Sequence, residues 1–217
     1  MLCHDHSCYF VVYVFNPINI CMIISHEHKF IFVKTRKTAG SSIEKYLVDY
    51  LGPDDICTGS RRDGTPALNI DALTGHLGWQ WIKENYANEW NSYYKFAVDR
   101  NPWDKMVSIY YWYLYSKPHK VRKGFEHLIL QTNLDLWDDW TNYSNNQGPT
   151  VDRLLTYENL HQQFLELPIP YNNELTTTFV KSGLRKVSDY HELYTEEMQE
   201  RVAKSFSQMI DHFQYQY

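Results

Sequence analysis

The spacing of apolar residues divides the stretch from residue 29 to residue 53 into a strand, a tight loop and a helix. Residues 29–33 (KFIFV) form a short aromatic and β-branched run, which is typical of a buried strand. From Ser42 the spacing becomes helical, and the apolar residues on one face are Ile43, Tyr46, Leu47, Tyr50 and Leu51. Gly52 and Pro53 then end the helix.

A second strand and helix follow after a long loop. Residues 53–75 carry turn-forming residues and predict a loop, and residues 76–87 favour a helix. Residues 93–98 (YYKFAV) predict a second buried strand. Asn101 can cap the next helix, and Pro102 suits its first turn. The apolar residues that recur on one face of that helix are Trp103, Val107, Tyr110, Tyr111 and Leu114.

The last third of the chain repeats the alternation of strand and helix. Residues 116–150 have the weakest pattern and contain basic residues at 117–123 before the acidic, tryptophan-rich sequence DLWDDW. Residues 151–157 (VDRLLTY) predict a strand, residues 158–167 a short helix, and Thr195 caps a final helix that starts near Glu196. Because strands alternate with helices, we predict an α/β fold with a central, mainly parallel sheet flanked by helices.

Composition indicates one folded domain with a local anion site. The chain has 217 residues, of which 43% are hydrophobic and 22% charged, so a core can be buried in a single domain. The formal net charge of −5 and the pI near 6.0 disfavour nucleic acid as a partner, because nucleic-acid-binding domains usually have a basic surface. The basic residues between 29 and 45 therefore predict a site for one small anion. The aromatic content of 16% fits either an aromatic core or a groove that stacks flat groups.

Residues 1–21 are interpreted as a peripheral extension, and residues 22–217 as the single domain. The apolar stretch in this extension is interrupted by Asn16, Pro17 and Asn19 and falls short of the roughly 20 apolar residues of a membrane span. We therefore expect no stable membrane insertion, with a membrane anchor formed by residues 9–24 as the alternative. Since three of the four cysteines lie in the extension, no disulfide framework is expected, which favours a cytoplasmic location.

The loop after the first strand has the residue types of an anion site. A helix that follows a strand offers unpaired backbone N–H groups and the positive end of its dipole. The residues from Ala39 to Ser42 are small enough for an anion to approach the backbone, and Lys37 comes just before them. A Walker A loop would place its lysine after the second glycine, followed by a hydroxyl for Mg²⁺. Here the lysine precedes the only glycine of the loop, so ATP with Mg²⁺ is the weaker interpretation.

Four ordered segments resemble sulfotransferases that use 3′-phosphoadenosine 5′-phosphosulfate (PAPS). KTRKTAGSSIE resembles their 5′-phosphosulfate loop, with Arg36 in place of a proline and Ala39 in place of a glycine. FAVDRNPWDKMVSIYYW resembles their 3′-phosphate motif, in which Arg100 and Ser108 hold the matching positions and Asp99 replaces the usual apolar residue. VDRLLTYENL and the C-terminal RKVSDYHELYTEEMQERVAKSF resemble two further segments of this family. The similarity covers residues 29–217 apart from 116–150.

The resemblance implies the P-loop-like fold of sulfotransferases, related to nucleoside-triphosphate hydrolases. It also implies transfer of a sulfuryl group from PAPS to an acceptor hydroxyl on a carbohydrate, a lipid head group or a small molecule. The donor carries charge at two places and so needs two anion sites. The residues implied at the donor are Arg36, Lys37, Thr38, Ala39, Gly40, Ser41, Ser42, Arg100, Ser108, Arg185 and Lys186. Lys37 would neutralise the charge that develops on the leaving nucleotide, and the scheme requires no metal.

The acceptor hydroxyl needs a base, and His76 is the main candidate. It lies where this family often has a histidine, and an ordinary histidine pKa near 6.5 suits the task. Glu44 is a weaker candidate, because it can pair with a neighbouring lysine. Two other functions stay open at this stage: a Mg²⁺-dependent, kinase-like nucleotide enzyme, and a catalytically silent nucleotide-binding domain.

Several of these residues also have a purely structural interpretation. Lys37 could be a solvated lysine on an exposed turn, Arg100 could pair with Asp99 or Asp104, and Ser108 could be an ordinary helix residue. The aromatic residues 110–115 fit the core better than an acceptor platform. The basic residues 117–123 fit either a solvated loop or a site for an anionic acceptor such as an acidic glycan.

Overall fold

The computed structural model describes residues 22–57, 78–170 and 185–217. The strands are β1 (Met22–Ser25), β2 (Phe30–Val33), β3 (Ile56–Cys57), β4 (Tyr94–Asp99), β5 (Ser144–Asn145), β6 (Gly148–Pro149) and β7 (Arg153–Thr156). The helices are α1 (Gly40–Leu47), α2 (Trp79–Asn85), α3 (Ala87–Ser92), α4 (Pro102–Ser116), α5 (Phe125–Gln131), α6 (Trp140–Tyr143), α7 (Leu160–Leu165), α8 (Glu196–Ser205) and α9 (Ser207–Phe213). The interpretation of residues 1–21 as an extension concerns residues outside these ranges.

The central sheet has five strands in the order β3-β1-β2-β4-β7. Strands β2, β4 and β7 pair in parallel, whereas β1 pairs antiparallel with both β2 and β3. Strand β3 therefore runs in the same direction as β2, and four of the five strands share one direction. The prediction of a mainly parallel sheet is confirmed. Strands β5 and β6 form a separate antiparallel hairpin.

Both faces of the sheet are covered, because successive residues of each strand point into different apolar clusters. Phe30 and Phe32 of β2 face a cluster with α1 and α7, whereas Ile31 and Val33 face a second cluster with α4 and α8. Phe96 of β4 lies in the first cluster, stacked on Phe32 with ring centroids 4.9 Å apart. This three-layer arrangement explains why the strands appear in the sequence as continuous apolar runs.

The helix-start signals act as the sequence predicted. The Asn101 side chain accepts hydrogen bonds from the N–H groups of Trp103 and Asp104, and Pro102 occupies the first position of α4. Thr195 caps α8 in the same way, through its hydroxyl and the N–H of Met198. Both caps satisfy backbone donors that have no partner within the first turn of a helix.

Several boundaries differ from the sequence prediction. Helix α1 begins two residues earlier than Ser42, and β3 lies in the region predicted as a loop, since a two-residue strand has no detectable periodicity. The helix predicted at 76–87 is α2 followed by α3, and the final helix is interrupted at Phe206, which leaves helical geometry (φ −110°, ψ 23°). The weakly patterned residues 116–150 contain α5, α6 and the hairpin. Leu114, predicted on the apolar face of α4, is 41% exposed.

Within 22–57, 78–170 and 185–217, every helix is too short or too polar to cross a bilayer.

Candidate functional site

The candidate site lies at the carboxyl ends of β2 and β4, where the connections of the sheet diverge. From β2 the chain passes through α1 on one face to β3, on the far side of β1. From β4 it passes through α4 on the opposite face to β7, in the other direction along the sheet. Open α/β sheets bind ligands in the crevice at such a switch point. The two segments predicted to bind anions, after β2 and after β4, flank this crevice.

The loop from residue 34 to residue 39 has the backbone conformation of an anion-binding turn. Lys37 and Ala39 both have φ 62°, in the left-handed region. The N–H groups of residues 39–41 have no hydrogen-bond acceptor among the described residues, and Ala39 immediately precedes α1. Consecutive N–H groups in left-handed turns, together with a helix N-terminus, form a concave anion-binding surface.

Buried hydrogen bonds and side-chain packing fix the shape of this loop. The Thr35 hydroxyl donates to the carbonyl of Val98 on β4 and lies 2.8 Å from the hydroxyl of Thr38. The Thr38 side chain therefore points into the protein, and only its backbone can face an anion. At Gly40, a Cβ atom would lie 2.6 Å from Cγ of Lys34, whose ammonium pairs with Glu44 at 2.8 Å. Glu44, the weaker candidate base, is thus buried in an ion pair.

Lys37 is half-buried, and an aromatic residue of α4 lies beside its ammonium. Its Nζ atom lies 5.7 Å from the ring centroid of Trp112. The ammonium of Lys117 lies 6.0 Å from the same ring. The aromatic residues 110–115 are divided between two roles, because Tyr111 and Tyr113 are buried in the core whereas Tyr115 is 73% exposed. The Trp112 indole therefore lies within cation–π distance of the Lys37 ammonium.

Arg100 joins the two sides of the crevice. Its Nη1 donates to the backbone carbonyl of Lys37 at 3.1 Å, and its guanidinium lies 4.0 Å from the ring centroid of Tyr157. Asp104, in the first turn of α4, accepts from Nε of Arg100 at 2.6 Å and also pairs with Arg185. Two predicted phosphate ligands therefore converge on one carboxylate. Asp99 and Asp104 were the two possible ion-pair partners of Arg100, and its side chain pairs with Asp104.

The other predicted site residues differ in burial and in their position around the crevice. Ser108 lies one turn after Asp104 on α4, half-buried, and its hydroxyl has no hydrogen bond to another described residue. Lys186 is exposed next to Arg185, and Ser41 is half-buried in the first turn of α1, where Ser42 is buried. His76 falls outside the described residues, so its role stays a prediction.

Two fully buried carboxylates, absent from the predicted site, lie beneath it. Asp139 accepts from both the backbone N–H and the Nε of Arg36 at 2.8 Å, and Nη1 of Arg36 donates to the carbonyl of Leu136. The Arg36 side chain is therefore held below the loop. Asp99 accepts from the backbone N–H of Arg100 at 2.8 Å, so it does not compete for the guanidinium.

Lys105 connects these carboxylates. Its ammonium lies 3.1 Å from Asp99 and 2.8 Å from Asp139 with no exposed surface. Burial alone would lower the pKa of Lys105, but the Asp139 and Asp99 carboxylates outweigh burial and raise it, so the side chain stays charged. Burial, reinforced by Asp99, raises the pKa of Tyr143, whose hydroxyl donates to the Asp99 carboxylate.

The residue patterns gave no site role to Lys105 or Asp139, and they offered Asp104 only as an ion-pair partner of Arg100. That ion pair joins residues four positions apart, Arg100 just before α4 and Asp104 in its first turn. Lys105 lies between buried residues of α4, where a charge requires a buried partner. Asp139 comes from a segment without periodicity, and no sequence signal connected it to the loop after β2.

Comparison with known families agrees with this geometry. The sequence model described as "Sulfotransferase family" matches residues 21–217. A comparison with curated proteins gave no significant match. The family match spans nearly the whole chain, including both segments that flank the crevice. The protein therefore belongs to the sulfotransferase family.

Proposed function

We propose that this protein transfers the sulfuryl group of PAPS to the hydroxyl of an acceptor such as a carbohydrate, a lipid head group or a small molecule. Family membership supports a sulfotransferase activity in general. One contact carries the choice of donor: Nη1 of Arg100 lies 3.1 Å from the carbonyl oxygen of Lys37. A guanidinium and a lysine-bearing anion loop therefore adjoin one crevice, as a nucleotide charged at both ends requires. We further propose a cytoplasmic location.

The proposed donor lies with its 5′ end on the loop and its 3′-phosphate near Arg100. The N–H groups of residues 39–41 and the Lys37 ammonium suit the 5′-phosphosulfate. Arg100 and Arg185 suit the 3′-phosphate, because their planar forks can each donate two hydrogen bonds to one phosphate. Ser108 supplies a hydroxyl on the same face of α4, and Lys186 adds a positive charge at the rim.

Catalysis in this scheme depends on positioning and charge neutralisation. The acceptor oxygen forms a bond to sulfur while the bond from sulfur to the bridging oxygen of the 5′-phosphate breaks. The acceptor proton passes to a base, for which we propose His76, and the electron pair of the broken bond stays on the nucleotide. Lys37 neutralises that growing charge. The products are the sulfated acceptor and adenosine 3′,5′-bisphosphate.

Binding of adenosine 3′,5′-bisphosphate tests the donor site directly. At 100 times its Kd, a ligand stabilises the folded protein by about 2.7 kcal/mol. For a domain of this size, we expect a rise in Tm of roughly 5–10 °C. ATP with Mg²⁺ should raise the Tm much less. A rise with ATP and none with the bisphosphate would favour the kinase-like alternative.

The Lys37→Ala variant tests whether the site is catalytic. Removing one group that stabilises transition-state charge lowers turnover by about 100- to 1,000-fold. We expect this loss in a sulfate-transfer assay at saturating donor, with folding unchanged by circular dichroism. Lys204→Ala is the matched control, because Lys204 is exposed near the end of α8. If Lys37→Ala changed donor affinity and left turnover intact, the charge-neutralising role of Lys37 would be wrong. An absence of turnover in the unmodified protein with every acceptor class would favour a silent binding domain.

A further inference from the structure

We propose that Asp139 is a positioning residue. Through Lys105 and Asp99, it holds the loop after β2 and the Arg100 segment after β4 at the spacing that the donor requires. The inference rests on the proposed function, because it concerns the same donor. Asp139 belongs to the DLWDDW segment, which no motif connects to the donor site. It is fully buried and cannot touch the nucleotide itself.

The geometry is a chain of buried contacts that ends on the backbone at both sides of the crevice. On one side, Asp139 bonds the N–H of Arg36, the residue before Lys37, at 2.8 Å. On the other, Asp99 bonds the N–H of Arg100 at 2.8 Å. The ammonium of Lys105 lies between the two carboxylates, at 2.8 Å and 3.1 Å. A displacement of either backbone segment must therefore move or break a buried, charge-assisted hydrogen bond.

Buried charge makes this chain act as one unit. Asp99, Lys105 and Asp139 have no exposed side-chain surface. Each charge is therefore stabilised by its protein partners and not by water. Neutral donors complete the shell: Nδ2 of Asn142 lies 2.9 Å from Asp139, and the Tyr143 hydroxyl donates to Asp99. Removing one charge leaves the others uncompensated, and groups in one such network show coupled energetics.

The spacing between the two anion sites is what this network would control. The 3′-phosphate and the 5′-phosphate are attached to one ribose, which limits their separation, so both bind well only when the loop and Arg100 are correctly spaced. The gain in affinity from the 3′-phosphate is the ratio of the Kd of adenosine 5′-monophosphate to that of adenosine 3′,5′-bisphosphate. A substitution at Asp139 should reduce this ratio, although Asp139 contacts neither phosphate and does not contact the Arg100 side chain.

The experiment measures that ratio by calorimetry, well below the Tm of each variant. Asp139→Asn keeps the shape of the side chain and removes its charge. Tyr143→Phe removes one uncharged hydrogen-bond donor to Asp99 at a fully buried position and is the milder second variant. Glu166→Gln is the control, because Glu166 forms an exposed ion pair with Arg153. Arg153 is the first residue of β7 and so lies at the amino ends of the parallel strands, away from the crevice at their carboxyl ends.

We expect Asp139→Asn to lower the ratio on the order of tenfold and Tyr143→Phe by about threefold. Glu166→Gln should leave the ratio unchanged. If the two buried variants fold and keep the ratio of the unmodified protein, the network is only structural and the proposal is wrong. If Asp139→Asn does not fold, the ratio measured for Tyr143→Phe decides: a lowered ratio supports the proposal, and an unchanged ratio refutes it. If the unmodified protein has no preference for the bisphosphate, the proposed function itself fails, and the positioning role fails with it.

Discussion

Replacing Arg100 with lysine separates the shape of the guanidinium from its charge. In the structure, Nε and Nη2 of Arg100 lie 2.6 Å and 2.5 Å from one carboxylate oxygen of Asp104, and Nη1 lies 3.1 Å from the Lys37 carbonyl. Its planar group also lies 4.0 Å from the ring centroid of Tyr157. A lysine at this position keeps one positive charge but has a single nitrogen and no plane to stack.

The size of the effect follows from these contacts. The stacking on Tyr157 contributes about 0.5–2 kcal/mol. A hydrogen bond to a charged group contributes about 1.5–3 kcal/mol. Because the ammonium of a lysine has a single nitrogen and a shorter reach, the variant loses at least one such hydrogen bond. Since part of this loss also occurs in the ligand-free protein, we expect Arg100→Lys to weaken binding of adenosine 3′,5′-bisphosphate by about 2–4 kcal/mol. That corresponds to roughly 30- to 1,000-fold in Kd.

Isothermal titration calorimetry at fixed ionic strength measures this change, because salt screens exposed charges and alters Kd. Adenosine 5′-monophosphate serves as the second ligand, and its affinity should fall much less. Arg153→Lys is the matched control, since the Arg153 side chain is 45% exposed and pairs with Glu166 at 2.9 Å. A Kd for the bisphosphate within threefold of the unmodified protein would refute the assignment of Arg100 as a fork-like phosphate ligand.

Two further predictions concern stability. Burial raises the pKa of Asp138 to about 6, above its ordinary 3.8, so the folded state binds this proton more tightly and its stability falls as pH rises between these values. Asp138→Asn should therefore stabilise the protein by about 1–2 kcal/mol in urea unfolding at pH 7.5, with no gain at pH 4; an equal gain at both would contradict the reasoning. Thr195→Ala removes the hydroxyl that accepts from the N–H of Met198. It should cost about 1 kcal/mol, a fall in Tm of about 2–4 °C by circular dichroism, and an unchanged Tm would show that the cap contributes nothing.

Local signals in the sequence were sufficient for the elements that carry the site. The apolar run before Lys34 and the helical spacing after Gly40 predicted strand, loop and helix, because periodicity records which faces are buried. Asn101 with Pro102, and Thr195, predicted two helix starts correctly, since a cap acts within a few residues of its own position. The sulfotransferase family was also recognisable from these local segments.

The interaction partners of the charged residues could not be obtained in this way. The resemblance implied that Arg36 lies at the donor, whereas the fold pairs its side chain with Asp139, 103 residues further along the chain. The fold likewise placed Asp104 between Arg100 and Arg185. Residue type and spacing determine what a segment forms by itself. The partner of a buried charge depends on which distant segments the sheet order and the helix packing bring to the same edge, and only the tertiary structure decides that.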